Sequence, residues 1–173
     1  MTVLAILQYP DPRLKRIAIP VAPDNITSPE LQKAIDDMFE THYNADNCAA
    51  LAATQLDMSP AWRITVIDFS EEKKEPLCLI NGEIIETKGE HLEDEACMSV
   101  YPEIAREKVK RASWIKVKYY DRAGKLNELV AEGFMAKCIQ HELDHLDGKI
   151  YLDRLSILRR DRLINRLRKE GKA

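Results

Sequence analysis

Two histidines stand four residues apart in the segment from Gln140 to Leu146, and a glutamate directly follows the first of them. On an α-helix, residues four apart lie on the same face, so the imidazoles of His141 and His145 can bind one divalent ion. Glu142 then lies about 100° around the helix from His141, within reach of water at that ion. The pattern predicts a metal-binding helix, and the alternative is an amphipathic helix with solvated histidines.

The residues around this pair favour a helix with defined ends, because good helix formers lie between Gly133 and Gly148. Two imidazoles leave a metal site incomplete, and a thiolate or carboxylate from elsewhere would complete it. We expect Cys97 to be the third ligand, and a small buried hydrophobe is its alternative role. The other cysteines are expected to be packing residues: Cys48, Cys78 and Cys138.

Length and charge limit the classes of protein that this chain can represent. We expect one domain spanning residues 1–173, and a net charge of −3 gives no reason to expect specific DNA binding. The apolar run at the N-terminus is too short for a signal peptide, and no segment approaches membrane-spanning length. The cysteines show no disulfide spacing. We therefore expect a cytoplasmic protein without a membrane partner.

Apolar periodicity and turn residues predict the other elements. Ser28 and Pro29 mark the start of a helix that continues to about Asn44, and His42 within it is expected to be solvated. An amphipathic, arginine-rich helix is predicted at about 155–169. Strand-like runs are predicted at 63–68, 77–80, 84–87, 114–120 and 126–131.

The chain contains three short motifs in order: CAALAATQ at 48–55, EACMS at 95–99 and QHELDHL at 140–146. They resemble the motifs of the peptide deformylases, which remove the formyl group from the N-terminal methionine of new bacterial and organellar proteins. The usual family forms are G-x-G-L-A-A-x-Q, E-G-C-L-S and Q-H-E-x-D-H-L. The resemblance covers essentially the whole chain. It implies an α+β fold in which small antiparallel β-sheets surround a central metal-binding helix, with an additional C-terminal helix.

The resemblance also implies one divalent metal ion as cofactor. Cys97, His141 and His145 would bind it, with ferrous iron as the preferred ion and zinc, nickel or cobalt as alternatives. Sequence alone does not choose among these metals, because a thiolate and two imidazoles suit several of them.

Roles in catalysis follow from the same resemblance. Glu142 would accept a proton from the attacking water and return it to the departing amine. The side-chain amide of Gln55 and the backbone N–H of Met98 would donate hydrogen bonds to the oxyanion. The residues expected to orient the ligands without taking part in the chemistry are Glu95, Gln140 and Asp144.

Three positions depart from the family motifs, because Cys48, Ala50 and Ala96 stand where the family has glycine. Each adds a Cβ, and we expect Ala50 and Ala96 to border the main chain of the substrate. The main hypothesis is hydrolysis of N-formylmethionyl nascent peptides with release of formate. Two alternatives are a deformylase-like paralogue that acts on a different N-acyl substrate, and a non-catalytic metal-binding protein that binds peptides or ribosomes.

Two basic features suggest further contacts. The C-terminal helix is locally basic, and in relatives a helix at this place docks on the ribosome, so we expect either such docking or a solvated face. Lys137 lies one turn before His141 on the same face of the predicted helix. It either borders the substrate pocket or extends to solvent.

Overall fold

The computed structural model describes residues 1–173, which form three α-helices and seven β-strands. The helices are α1 (Pro29–Asn44), α2 (Gly133–Leu146) and α3 (Ile157–Lys169). The strands are β1 (Ala50–Ala52), β2 (Ile64–Ile67), β3 (Leu77–Lys88), β4 (His91–Glu95), β5 (Glu107–Arg111), β6 (Trp114–Tyr120) and β7 (Leu126–Glu132).

All strand pairs are antiparallel, which confirms the predicted α+β class with small antiparallel sheets. One sheet has five strands in the order β1-β2-β3-β6-β7, and the other contains only β4 and β5. The predicted strands at 77–80 and 84–87 are parts of the single strand β3, which continues through irregular pairing with β6.

The five-stranded sheet separates two apolar layers. Successive side chains of a strand point to opposite faces, so Ile64 and Val66 of β2 pack in the cluster that contains the buried residues of α1, whereas Ile67 packs in the cluster that contains α2. Helices α1 and α2 therefore cover opposite faces of the sheet. His141 and His145 lie on α2, whereas Cys97 packs in a third apolar cluster that contains Leu163 and Leu167 of α3.

Helix α1 begins and ends where the sequence predicts. The Ser28 hydroxyl accepts a hydrogen bond from the Leu31 N–H at 3.2 Å, and Pro29 occupies the first helical position. The prediction that His42 is solvated was wrong, because its side chain is almost fully buried. Its Nε2 lies 3.0 Å from the carbonyl oxygen of Asp68, so its polar group has a partner inside the core.

Strands β4 and β5 were missed by the sequence analysis. Their sequences are dominated by charged residues, and neither shows the apolar alternation that identifies a half-buried strand. The pairing places an acidic strand beside a basic one, with Asp94 opposite Lys108. Cross-strand charge attraction of this kind stabilises a pair that apolar patterning cannot identify.

The N-terminal segment connects the three motifs through its backbone. It runs past the end of the first motif, then past the second, and finally past the C-terminal end of α2. The three hydrogen bonds join Leu7 N to Gln55 O (2.7 Å), Tyr9 N to Ser99 O (2.7 Å) and Ala18 N to Leu146 O (2.8 Å). This segment therefore fixes the motifs relative to one another.

Helix α3 lies at the C-terminal end of the chain and starts two residues later than predicted. Leu163 and Leu167 are buried against the segment that contains Cys97, whereas Ile157 and Leu158 are exposed. No helix in the protein combines the length and apolar composition needed to cross a lipid bilayer.

Candidate metal centre

Three side chains from two elements meet at one point. His141 and His145 lie on α2, one turn apart, and Cys97 lies just after the end of β4. The Nε2 atom of His145 is 3.2 Å from the Sγ of Cys97 and 3.2 Å from the Nε2 of His141. All three residues are buried, and their ligand atoms lie within 4.8 Å of one another. The group could hold a metal ion.

The protonation state of His141 supports this conclusion. Its Nδ1 lies 2.7 Å from Oε1 of Glu95, and a carboxylate can only accept, so Nδ1 carries the proton. In the neutral imidazole, this tautomer leaves the lone pair of the His141 Nε2 free to bind an ion at the meeting point. Two imidazole nitrogens and a cysteine sulfur form a donor set that suits a divalent ion. The residues present fit a bound metal.

Glu142 lies next to the ligands in a buried environment. Its side chain is one of the cavity-lining groups, and its Oε2 atom has no hydrogen-bond partner within the protein. Burial raises the pKa of Glu142 to about 7. A carboxylate with a pKa near neutrality can both accept and return a proton at physiological pH.

Gln55 is held with its amide nitrogen toward the ligand cluster. Its Oε1 accepts a hydrogen bond from the Ala52 N–H at 2.9 Å. Its Nε2 donates to the Ser99 hydroxyl at 3.1 Å and lies 3.7 Å from the Sγ of Cys97. The side chain is almost fully buried, so these contacts fix which end of the amide faces the site.

Met98 follows Cys97 in the cavity lining. Its carbonyl oxygen accepts a hydrogen bond from the Gln8 side chain at 2.7 Å, which ties this backbone to the N-terminal segment. Its N–H donates no backbone hydrogen bond within the protein. The Met98 N–H is therefore available to an acceptor at the site.

A buried chain of ion pairs extends from His141 away from the cavity. Arg111, at the end of β5, donates to both oxygens of Glu95 at 2.8 Å and to Asp144 at 2.6 Å. Arg154 donates to the same Asp144. Although burial alone would raise the pKa of Glu95, the hydrogen bonds from Arg111 and His141 lower it to about 2. Glu95 is therefore ionised and holds the imidazole of His141 in place.

The three residues expected to orient the ligands differ in their contacts. Glu95 bonds directly to His141, as described above. Gln140 bonds instead to both backbone groups of Ala112 and to the carbonyl of Ala136. Asp144 bonds to Arg111, so neither Gln140 nor Asp144 hydrogen-bonds a ligand side chain.

Sequence reasoning missed two residues that position the site. Arg111 lies in a run of lysines and arginines and has the appearance of a surface residue, so only the missed pairing of β4 and β5 could have identified it. Thr54 donates from its hydroxyl to the carbonyl of His145 at 2.7 Å. Its place in the first motif, directly before Gln55, was the available signal.

A cavity of about 560 Å³ opens beside the candidate ligands. Ala50 and Ala96, the two residues expected to border the substrate, both line it. Lys137 and Phe134, from the first two turns of α2, line it as well. Of the two expectations for Lys137, the structure places it at the pocket, where only 14% of its side chain is exposed.

Comparisons with known proteins agree on one family. The family model described as polypeptide deformylase matches residues 3–161. The chain is 61% identical over 170 residues to "Peptide deformylase 1" of Coxiella burnetii, with 96% of this chain and 98% of that protein covered. It is 46% identical over 172 residues to "Peptide deformylase 2" of Xanthomonas axonopodis pv. citri, with 99% and 98% covered.

Solved structures show the same relationship. A crystal structure of a peptide deformylase from Legionella pneumophila superposes with a TM-score of 0.88 at 40% identity, covering 98% of this chain and 96% of that one. A peptide deformylase from Synechococcus elongatus in complex with actinonin superposes with a TM-score of 0.85 at 34% identity. That match covers 98% of this chain and 87% of the other.

Proposed function

The chain belongs to the polypeptide deformylase family, and on that premise we propose that Cys97, His141 and His145 hold one divalent ion while Glu142 moves the protons of the reaction. The enzyme is a hydrolase that removes the N-formyl group from the N-terminal formylmethionine of newly made polypeptides and releases formate. The observation that carries the assignment of residues is the meeting of one sulfur and two imidazole nitrogens beside the buried Glu142.

Each residue has a defined task in this proposal. A bound divalent ion supplies Lewis acidity and a lowered pKa for water. Glu142 accepts one proton from the attacking water, whose oxygen forms a bond to the formyl carbon. Gln55 Nε2 and the Met98 N–H donate hydrogen bonds to the oxyanion. Glu142 then returns the proton to the departing nitrogen as the carbon–nitrogen bond breaks, which leaves formate and a free amine.

The metal is proposed to be ferrous iron. The Cys97 sulfur and the two imidazole nitrogens also suit zinc, nickel and cobalt, so all four ions are expected to bind. Elemental analysis after anaerobic purification identifies the resident ion. Equal activity after reconstitution with each metal would contradict a preference for iron.

The alanines at two family glycine positions are proposed to lie against the main chain of the substrate. Ala50 lies on β1, whose only sheet partner is β2, and Ala96 follows β4. Both line the cavity, so each methyl group occupies space that a glycine would leave open. We propose that a formyl-peptide is still accepted, which separates this protein from a paralogue specific for a different acyl group.

Binding to the ribosome through α3 is a separate proposal. The exposed face of this helix carries several arginines, and Ile157 and Leu158 at its start are exposed without a partner. Ribosomal RNA phosphates would attract such a face. Co-sedimentation with ribosomes, compared between the wild type and an Arg162→Glu/Arg166→Glu variant, tests it. We also propose a cytoplasmic location, because nascent formylated chains are made there.

The function is tested by release of the free N-terminal amine from matched peptides that carry an N-formyl, N-acetyl or N-propionyl group on the same methionyl sequence, with formate measured in parallel for the formyl-peptide. The wild-type enzyme with bound iron should turn over the formyl-peptide far faster than the other two, and His141→Ala should abolish turnover. Faster turnover of the acetyl- or propionyl-peptide would identify the paralogue. No turnover with one bound metal per chain would favour a non-catalytic binding protein.

A further inference from the structure

The first two turns of α2 form a wall of the cavity on the N-terminal side of the candidate ligands. Phe134, Lys137 and Cys138 all line the cavity there. Lys137 lies four residues before His141, hence on the same helix face and about 6 Å further along the axis. If the proposed function is correct, a formyl group at the ligands places the first side chain of the substrate within reach of this wall.

Most of this wall is apolar. The aromatic ring of Phe134 forms one part of it, and Cys138 another. Cys138 is 7% exposed, and burial raises the pKa of its thiol, so it stays neutral. Ala49, from the segment before β1, also lines the cavity. Such a wall suits an unbranched apolar side chain.

Lys137 is the exception, because it places a charge at the edge of this apolar wall. Its ammonium donates to Oε2 of Glu93 at 3.3 Å and to the carbonyl oxygen of Asp94 at 3.1 Å. It also lies 5.2 Å from the centre of the Phe134 ring. An ammonium group has three N–H donors, and these two oxygens account for two of them. The third is free.

We propose that Lys137 determines which first side chain the enzyme accepts, by donating its third N–H to an acceptor at the δ position of that side chain. The δ sulfur of methionine is a weak acceptor, and the oxygen that methionine sulfoxide carries on this sulfur is a strong one. Norleucine has the same length and no acceptor. The substrate class is therefore formyl-peptides that begin with methionine or with methionine sulfoxide.

The test compares kcat/KM for three formyl-tripeptides that differ only in the first residue: methionine, methionine sulfoxide and norleucine. If Lys137 donates a charged hydrogen bond to the sulfoxide, Lys137→Met should lower the ratio of kcat/KM for the sulfoxide peptide to kcat/KM for the norleucine peptide about tenfold. Lys137→Arg keeps a charged donor at the site and should retain most of the wild-type ratio. Turnover of the norleucine peptide by Lys137→Met serves as the measure that the variant is folded.

The matched control is Lys110→Met. Lys110 is 65% exposed and pairs with Glu90 at 2.7 Å, outside the cavity lining, so its removal should leave the ratio unchanged. An unchanged ratio in Lys137→Met, with turnover intact, would overturn the role of Lys137. Absence of turnover on all three peptides in the wild type would instead overturn the proposed function, and this inference with it.

Discussion

Arg111 is the residue that connects the candidate metal centre to the rest of the protein. Its guanidinium lies between two buried carboxylates, Glu95 and Asp144, with its own side chain 1% exposed. Through Glu95 it acts on the imidazole of His141. The charge of this one residue therefore keeps Glu95 ionised and the ligand in its required tautomer.

Replacing Arg111 by methionine should destabilise the protein by about 3–5 kcal/mol, because the buried Glu95 would lose both guanidinium hydrogen bonds and keep only His141, and Asp144 would keep only the half-exposed Arg154. Urea unfolding of the metal-free protein measures this change. Arg154→Met is the matched control, since Arg154 pairs with the same Asp144 but is 45% exposed, and its loss should cost only about 1 kcal/mol. An equal loss in the free energy of unfolding for the two variants would contradict the claim that burial makes the Arg111 ion pairs more costly to lose.

The sequence identifies the residues that would bind the metal more readily than the residues that hold those ligands in position. The spacing of His141 and His145 indicates a metal site without any structure, because helix geometry alone brings them together. The partner of Glu95 could not be predicted in the same way. A buried Arg111 and a surface lysine such as Lys110 are adjacent in the same basic run, and only the strand pairing distinguishes them.

Helix α2 ends in a close contact with the N-terminal segment. Gly148 has a φ of +75°, and a Cβ at this position would lie 2.6 Å from the carbonyl oxygen of Lys15. Only glycine combines this conformation with such a close approach. The contact fixes the end of the helix that carries His145.

Gly148→Ala should lower the free energy of unfolding by about 3 kcal/mol, of which the positive φ accounts for about 1 kcal/mol. Gly171→Ala provides the control, because Gly171 has a φ of +70° and a Cβ at this position would have no neighbour within 4 Å. Chemical denaturation of both variants gives the difference. If Gly171→Ala were as costly as Gly148→Ala, the close approach to Lys15 would have no energetic role.

Most elements of the five-stranded sheet and all three helices could be predicted, since apolar periodicity follows the burial of one face. Helix α1 begins at the predicted residue because Ser28 and Pro29 are strong start signals. The two-stranded sheet could not be predicted, since its strands are held by pairing between charged residues distant in sequence. It nevertheless brings Glu95 to the candidate metal centre.

Helices α1 and α2 lie on opposite faces of the five-stranded sheet, and His42 lies on α1, on the face opposite the candidate ligands of α2. Burial lowers the pKa of His42 below its ordinary value of 6.5. The folded protein therefore holds this imidazole neutral in a pH range where the unfolded chain protonates it. Stability from this group is complete above pH 6.5 and is lost as the pH falls toward the folded pKa.

A His42→Asn variant should therefore show a weaker loss of stability on acidification than the wild type. Below pH 6.5 the free energy of unfolding should fall with pH more steeply in the wild type than in the variant. The two slopes differ by at most about 1.4 kcal/mol per pH unit, which corresponds to one proton. Urea unfolding at a series of pH values measures it for both proteins. Parallel stability curves would show that His42 is protonated equally in the folded and unfolded states.

The central claim is that binding of the metal and transfer of the proton are separate tasks of neighbouring residues on α2. The most direct measurement combines metal content with formate release for Glu142→Gln, with the exposed Glu128→Gln as control. We predict one divalent ion per chain in both variants and a loss of turnover of at least about 100-fold in Glu142→Gln alone. A Glu142→Gln protein that retains both metal and turnover would contradict the account.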